Sequence, residues 1–235
     1  MKETLSLLQD GLRHLGLDGE KAPLLIRFAQ LLLEKNKVMN LTAITEPKDV
    51  ATLHLLDCAA LASLEDFSNS SVVDVGTGAG FPGLPLQILV PSARLTLLDS
   101  LGKRIRFLEE VCSELKIESA CCIHARAEEF AREHREQFDF AVSRAVANLP
   151  ILCELALPMV RTGGTFFAMK ALKSDEEIQS AKSAISQLGG RLEAVQEYTV
   201  FGTDVRRRVV VIRKERPTPP TFPRTFARIK KNPLI

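Results

Sequence analysis

Two carboxylates and a dense set of glycines mark where this chain could hold a ligand. The run Val72-Val73-Asp74-Val75 leads straight into Gly76-Thr77-Gly78-Ala79-Gly80-Phe81-Pro82-Gly83, and a second apolar run, Leu95-Thr96-Leu97-Leu98, ends in Asp99. Apolar run, glycine turn, helix, apolar run and acid make the layout of a nucleotide-type site. Glycines let the backbone approach a ligand closely, and a helix starting there turns free N–H groups toward a negative group. An acid at the tip of the next strand can accept both hydroxyls of a ribose.

Two cofactor classes fit. Gly76-x-Gly78-x-Gly80, with Asp74 before it, suits S-adenosylmethionine, which has a small carboxylate and amine to hold and no pyrophosphate. Gly78-x-Gly80-x-x-Gly83, with Asp99 downstream, also matches the dinucleotide fingerprint. A tight strand-to-helix turn with no ligand is the blander alternative.

The elements around the turn arbitrate. Residues 1–66 read as helices: Leu5, Leu8, Leu12 and Leu15 recur at helical spacing, as do Leu25, Phe28, Leu32 and Leu33. A third helix is predicted from Thr45, as its cap, through Pro47 to about Leu64. Strands are predicted at 72–75, 94–98, 119–124, 138–142 and 164–169, with helices near 83–89, 103–116, 127–133 and 149–161. Such alternation makes a parallel sheet covered on both faces. A helix at about 174–188 stops at Gly189-Gly190, and strands at 192–201 and 207–213, joined by the turn Gly202-Thr203-Asp204, pair antiparallel. A dinucleotide dehydrogenase needs a second mononucleotide-binding half. Five parallel strands, a helix and an antiparallel pair are instead the plan of a class I methyltransferase, an α/β, Rossmann-like doubly wound sheet. The chain divides into a helical segment at 1–66, a core at 67–214 and a basic, proline-rich tail at 215–235.

In an open α/β sheet the ligand lies beyond the C-terminal ends of the strands. Past the third strand stand Ala127 and Glu128, where an adenine edge would be read, although Glu128 also suits the first turn of a helix. Past the fourth and fifth strands stand Arg144 and Lys170, two cations suited to an RNA phosphate or to guanine O6 and N7. Either alone could be a plain surface cation. Ser143-Arg144-Ala145-Val146-Ala147-Asn148 lacks the polar-Pro-Pro-aromatic signature of adenine-N6 enzymes, and no cysteine stands at a strand tip as pyrimidine-C5 enzymes require. Transfer to a ready-made lone pair remains. Guanine N7 offers one, needs no general base, and reacts once aligned with the methyl group.

Composition narrows the setting. The hydrophobic fraction of 46% supports a real core, and no apolar run approaches a membrane span. Five cysteines (Cys58, Cys112, Cys121, Cys122, Cys153) lack metal-ligand spacing and read as buried thiols of a cytoplasmic protein, so no metal is expected. Residues 206–235 carry ten Lys/Arg against the single acid Glu215, on a body that is net acidic. A basic end interleaved with Pro217, Pro219, Pro220 and Pro223 suggests an extended arm for a polyanion. A nicotinamide-dependent oxidoreductase and a non-catalytic RNA-binding module stand as competing readings.

Several blocks together resemble one family: Asn40-Leu41-Thr42, His54-Leu55-Leu56-Asp57, Asp74 to Gly83, Leu97-Leu98-Asp99-Ser100-Leu101-Gly102-Lys103-Arg104 and Ser143-Arg144-Ala145. It is the bacterial small-subunit ribosomal RNA guanine-N7 methyltransferase family, also called glucose-inhibited division protein B, and the resemblance runs from about residue 20 to 214. It implies S-adenosylmethionine as donor and a guanine in the decoding-region loop of 16S ribosomal RNA as acceptor. It places cofactor contacts on Gly76, Phe81, Ala127, Glu128 and Arg144, with Asp99 at the ribose, and the glycine turn adds Gly78 to the cofactor candidates. It puts the His54/Asp57 motif near the pocket, though that pair could equally fix its helix on the sheet, and Asn40 could be only a helix C-cap. Asn40, His54, Asp57 and Lys170 are the candidate substrate contacts. The implied protein is a cytoplasmic monomer acting on the small ribosomal subunit, with no membrane and no DNA partner. Cys58 stands where the family commonly has serine, Ala171 where glycine is common, and the tail lacks the family's Pro-Gly-Thr-Pro run.

Overall fold

Alternation at period two decides which side of the sheet each strand residue faces. In β1 (Ser71–Val75), Val72 joins one buried cluster while Val73 and Val75 join the other. β2 (Arg94–Asp99) divides in the same way, with Leu95 and Leu97 opposite Leu98. The remaining strands are β3 (Ala120–His124), β4 (Phe138–Arg144), β5 (Val160–Ala171), β6 (Gly190–Thr199) and β7 (Arg206–Lys214). The computed structural model describes residues 2–235, and its sheet runs in the order β3-β2-β1-β4-β5-β7-β6. β1 to β5 pair parallel, and β7 pairs antiparallel with both β5 and β6. β6 lies at the sheet edge, and its register with β7 slips between Leu192 and Ala194.

Helices α1 (Lys2–His14) and α2 (Ala22–Met39) bury Leu8, Leu12, Leu25, Phe28 and Leu32 in the same cluster as Val72, Leu97 and Phe167. The N-terminal helices thus cover one face of the sheet, with α5 (Gly83–Leu89) and α6 (Gly102–Glu114). On the other face lie α7 (Ala127–Glu133), α8 (Leu149–Ala156) and α9 (Asp175–Gln187). No helix among the described residues is long and apolar enough to cross a membrane.

Four features differ from the sequence expectations. The third helix starts with Glu46, not Thr45, at its N-cap, and it is not uniform. A short α3 (Pro47–Val50) widens into a π-helical stretch at Ala51–Leu56 before α4 (Asp57–Ala62). Thr52 Oγ1 bonds back to Lys48 O at 3.1 Å inside this stretch, competing with the ordinary helical ladder. α8 ends at Ala156, short of 161, because β5 already pairs with β4 from Val160. Cys121 is exposed rather than buried, since β3 is an edge strand.

The fourth difference is the tail, which folds back on its own body. Its prolines leave carbonyls without competing backbone donors, and Arg135 claims them, donating to Phe222 O at 2.5 Å and Thr218 O at 2.6 Å. Arg224 forks onto Glu154, which is fully buried in α8, through Nε at 2.8 Å and Nη2 at 2.6 Å. A last helix, α10 (Phe226–Lys231), then buries Ile229 among α8 and its neighbours and leaves Arg228, Lys230 and Lys231 exposed.

Candidate active site

A cavity of about 570 Å³ opens beyond the C-terminal ends of β1, β2, β3 and β4. Its floor is the glycine turn. Gly76 and Thr77 donate to Leu98 O at 2.9 and 3.0 Å, which ties the turn to β2. Gly76 holds φ +71°, and a Cβ there would lie 2.6 Å from Val146 Cγ2. Gly78 holds φ +61°, and a Cβ there would meet only Gly76 O, at 3.9 Å, so its backbone lies open to the cavity it lines. Asp99 Oδ2 accepts from Gly78 N at 2.9 Å and Arg104 Nη1 at 3.3 Å, while Oδ1 accepts from Leu101 N at 2.9 Å. A carboxylate has about four acceptor sites. One is therefore open, and Arg104, partly exposed, can yield a second to a ribose hydroxyl.

Asp74 takes no part in the cavity wall. It is fully buried, and its Oδ2 accepts from Gly83 N at 2.8 Å and Thr77 Oγ1 at 2.7 Å. Burial pushes its carboxyl up to about 7, against the pull of those two bonds. At the second glycine of the fingerprint, where a pyrophosphate would approach, Gly80 N and Phe81 N are already spent on Thr77 O at 2.9 and 3.0 Å. This geometry disfavours the dinucleotide reading of the same glycines and suits a ligand without phosphates.

One end wall comes from the loop after β3. Ala127 and the buried Glu128 line it, with Arg126 Nε on Glu128 Oε1 at 2.6 Å. The Arg126 guanidinium in turn lies over the ring of Phe226, 4.8 Å from its centroid, so the C-terminal segment completes this wall.

At the other end stands a polar cluster that the π-helical stretch assembles. Arg144, at the tip of β4, sends Nη1 to Asp57 Oδ2 at 3.0 Å and Leu53 O at 3.3 Å, and Nη2 to His54 Nδ1 at 2.9 Å. Tyr198 OH donates to the other Asp57 oxygen at 2.7 Å. Phe81 lies beneath, stacked on His54 at 4.6 Å and under the Arg144 guanidinium at 4.7 Å. Burial first, and then the Arg144 charge, lowers the His54 pKa to about 4, so its ring is neutral at pH 7. Burial, with Asp57 next to it, pushes the Tyr198 hydroxyl well above the usual phenol range.

The sequence candidates therefore divide. Gly76, Gly78, Phe81, Asp99, Ala127, Glu128, Arg144 and His54 all line the cavity. Asp57 lies behind it as the partner of Arg144. Lys170 does not reach it: Nζ is engaged by Glu177 Oε1 at 2.6 Å and Ala147 O at 2.7 Å. Asn40 is an exposed, left-handed C-cap of α2 outside the cavity, and the neighbouring Asn36 organises the loop by accepting from Leu41 N and Thr42 N. Arg144 cannot present a free fork to a base, because its fork is spent on Asp57 and His54. Sequence reasoning missed Tyr198 and Phe226, and it met Arg126 only as one of the residues past the third strand, with no role. Tyr198 is the chain's one tyrosine, a signal that could have drawn notice. Nothing local flagged Phe226.

Sheet order, glycine turn and acid-tipped second strand together define a class I, S-adenosylmethionine-dependent methyltransferase. The fold matches that of M. jannaschii TYW2, solved in complex with AdoMet, with a TM-score of 0.56 over 68% of this chain and 76% of that one at 15% identity. The chain belongs to the GidB family, described as rRNA small subunit methyltransferase G, whose model matches residues 21–207. It is 44% identical over 223 residues to the ribosomal RNA small subunit methyltransferase G of Clostridium tetani, covering 94% of this chain and 93% of that protein. It is 43% identical to that of Clostridium botulinum strain Kyoto, over 99% of both.

Proposed function

We propose that the protein methylates N7 of a guanine in 16S ribosomal RNA of the small subunit, within the decoding-region loop. The observation that carries this reading is the family match, which spans both the cavity and the elements that build it. When bound, S-adenosylmethionine supplies an electrophilic methyl group on a cationic sulfur. In this reading Gly76 and Gly78 receive the methionine end of the cofactor, Asp99 accepts its ribose hydroxyls, and Ala127 and Glu128 read its adenine, walled by Phe226.

The cluster at Arg144 supports the same chemistry. A free guanidinium beside a sulfonium would repel it, but Asp57 neutralises this one. The end wall would thus present no uncompensated cation to the cofactor's sulfonium or to the methylated base. Guanine N7 is unprotonated at neutral pH, so the residues need only hold base and methyl in line. The exposed Arg228, Lys230 and Lys231 beside Phe226 offer phosphate contacts at the rim.

The test is transfer of labelled methyl to small ribosomal subunits from a strain lacking this gene, followed by mapping of the labelled base. Label on guanine N7 of 16S RNA is the expected result. Label on another base or another RNA, with cofactor binding intact, would overturn the substrate and leave the cofactor site standing.

A further inference from the structure

We propose that the Thr42 hydroxyl is the group that reads O6 of the target guanine, held as a pure donor by a relay from Arg144 through His54. The inference rests on the guanine-N7 reading above and adds a base-recognition residue to it.

The direction of each bond in the relay follows from the first. A guanidinium has only protons to give, so His54 Nδ1 accepts from Arg144 Nη2. The ring's own proton is then on Nε2, which lies 2.8 Å from Thr42 Oγ1 and donates to it. The low pKa of His54 agrees, since a charged ring would set N–H against N–H at Arg144. Thr42 Oγ1 also accepts from Ile44 N at 3.0 Å. A hydroxyl has two acceptor positions and one proton. Both acceptor positions are filled, so only the proton is left, and it has no acceptor among the described residues. Thr42 lines the cavity, so that is where the proton is offered.

Topology says which ligand meets it. In the reading above, the residues that would hold adenine, ribose and methionine stand at the tips of β3, β2 and β1 in that order, and β4 comes next in the sheet. Thr42 hangs from the β4 tip through His54 and Arg144, so it stands past the methionine end, where the acceptor base enters. Guanine shows N7 and O6 side by side on that edge. N7 must stay free of donors, because its lone pair attacks the methyl group, so a donor aimed at O6 orients the base without blocking it. Adenine places an amine there instead. A hydroxyl with no acceptor position left cannot satisfy an amine, so the same arrangement rejects adenine.

The experiment is a cycle of enzyme and base changes. Wild-type, Thr42→Val and Thr42→Ser proteins are assayed on reconstituted small subunits carrying either guanine or 2-aminopurine, which lacks O6, at the methylated position. Wild type should lose about tenfold or more in kcat/KM on 2-aminopurine. Thr42→Val should lose a similar factor on guanine and nothing further on 2-aminopurine, Thr42→Ser should recover most of the rate, and S-adenosylmethionine affinity should be unchanged throughout. Weaker cofactor binding in Thr42→Val would assign the hydroxyl to the cofactor carboxylate and overturn the proposal. Losses that multiply in the doubly altered pair would overturn it as well. Failure of wild type on guanine itself would reject the guanine-N7 reading, and this inference with it.

Discussion

Replacing Arg224 with alanine tests how the C-terminal segment is held. Glu154 is fully buried in α8, and both its carboxylate oxygens are bonded by Arg224, through backbone N at 2.9 Å, Nε at 2.8 Å and Nη2 at 2.6 Å. Arg224→Ala leaves only the backbone N–H facing a buried charge. Removing one partner of a buried pair costs about 3–5 kcal/mol. For a domain of this size the lower bound corresponds to a fall in Tm of roughly 6–12 °C. Glu154→Leu is expected to cost less, because the orphaned Arg224 sits on a segment that can turn its guanidinium into water, whereas Glu154 has nowhere to go. The tail should nonetheless come loose in both variants. Urea unfolding gives the stabilities, and limited trypsin digestion at Arg228, Lys230 and Lys231 reports docking. An Arg224→Ala cost below about 1 kcal/mol, or below that of Glu154→Leu, would refute the reasoning.

Acid should expose the neutrality of His54. Its folded pKa of about 4 lies below the unfolded value, so its contribution is complete above pH 6.5 and is lost as pH falls toward 4. That loss is worth about 3 kcal/mol by linkage and should be missing from His54→Gln in urea titrations across this range. Asp74 works in the opposite sense, its raised pKa favouring the fold below about pH 4 and ceasing to as pH passes 7, but it is common to both proteins and cancels in the comparison. Asp99→Ala removes the acceptor for Gly78 N and Leu101 N together with the ribose anchor, and calorimetry should show S-adenosylmethionine bound about 10- to 100-fold more weakly. Full affinity would remove Asp99 from the site. Substituting glutamine for Arg228, Lys230 and Lys231 should flatten the salt dependence of RNA binding by roughly 2 in log–log slope, and an unchanged slope would take α10 out of the interface. Point substitutions are the right tool, because deleting residues 215–235 would also strip Ile229 from the core and Phe226 from the pocket wall.

The strands were legible because each carries its own signal: Val72 to Val75 is a short apolar run that holds Asp74, Leu95 to Leu98 is one closed by Asp99, and the turn that follows the first is written in glycine. The residues at those strand tips were legible for the same reason. What escaped depends on contacts distant in sequence. The single helix was expected from local signals after Pro47, whereas the π-helical stretch that carries His54 to Arg144 packs against α1, far away in sequence. Lys170 looked free because Glu177, its partner, lies on the next helix. The tail read as an extended arm because its basic and proline-rich composition suits a solvated chain. Glu154 and Arg135, which anchor it, lie 70 and 87 residues from their partners Arg224 and Phe222.

The displaced register of β6 shapes what its free edge offers to another strand. An edge strand offers a row of unpaired amides to any similar strand nearby, the first step toward fibrous association. Here the slip between Leu192 and Ala194 breaks the regular spacing of that row. Ion pairs of Arg191 with Glu215, Arg213 with Glu193, and Arg206 with Glu197 line the same margin with charge. A second copy would have to match an offset ladder beside those charges. The margin of the sheet is thereby built to end at β6.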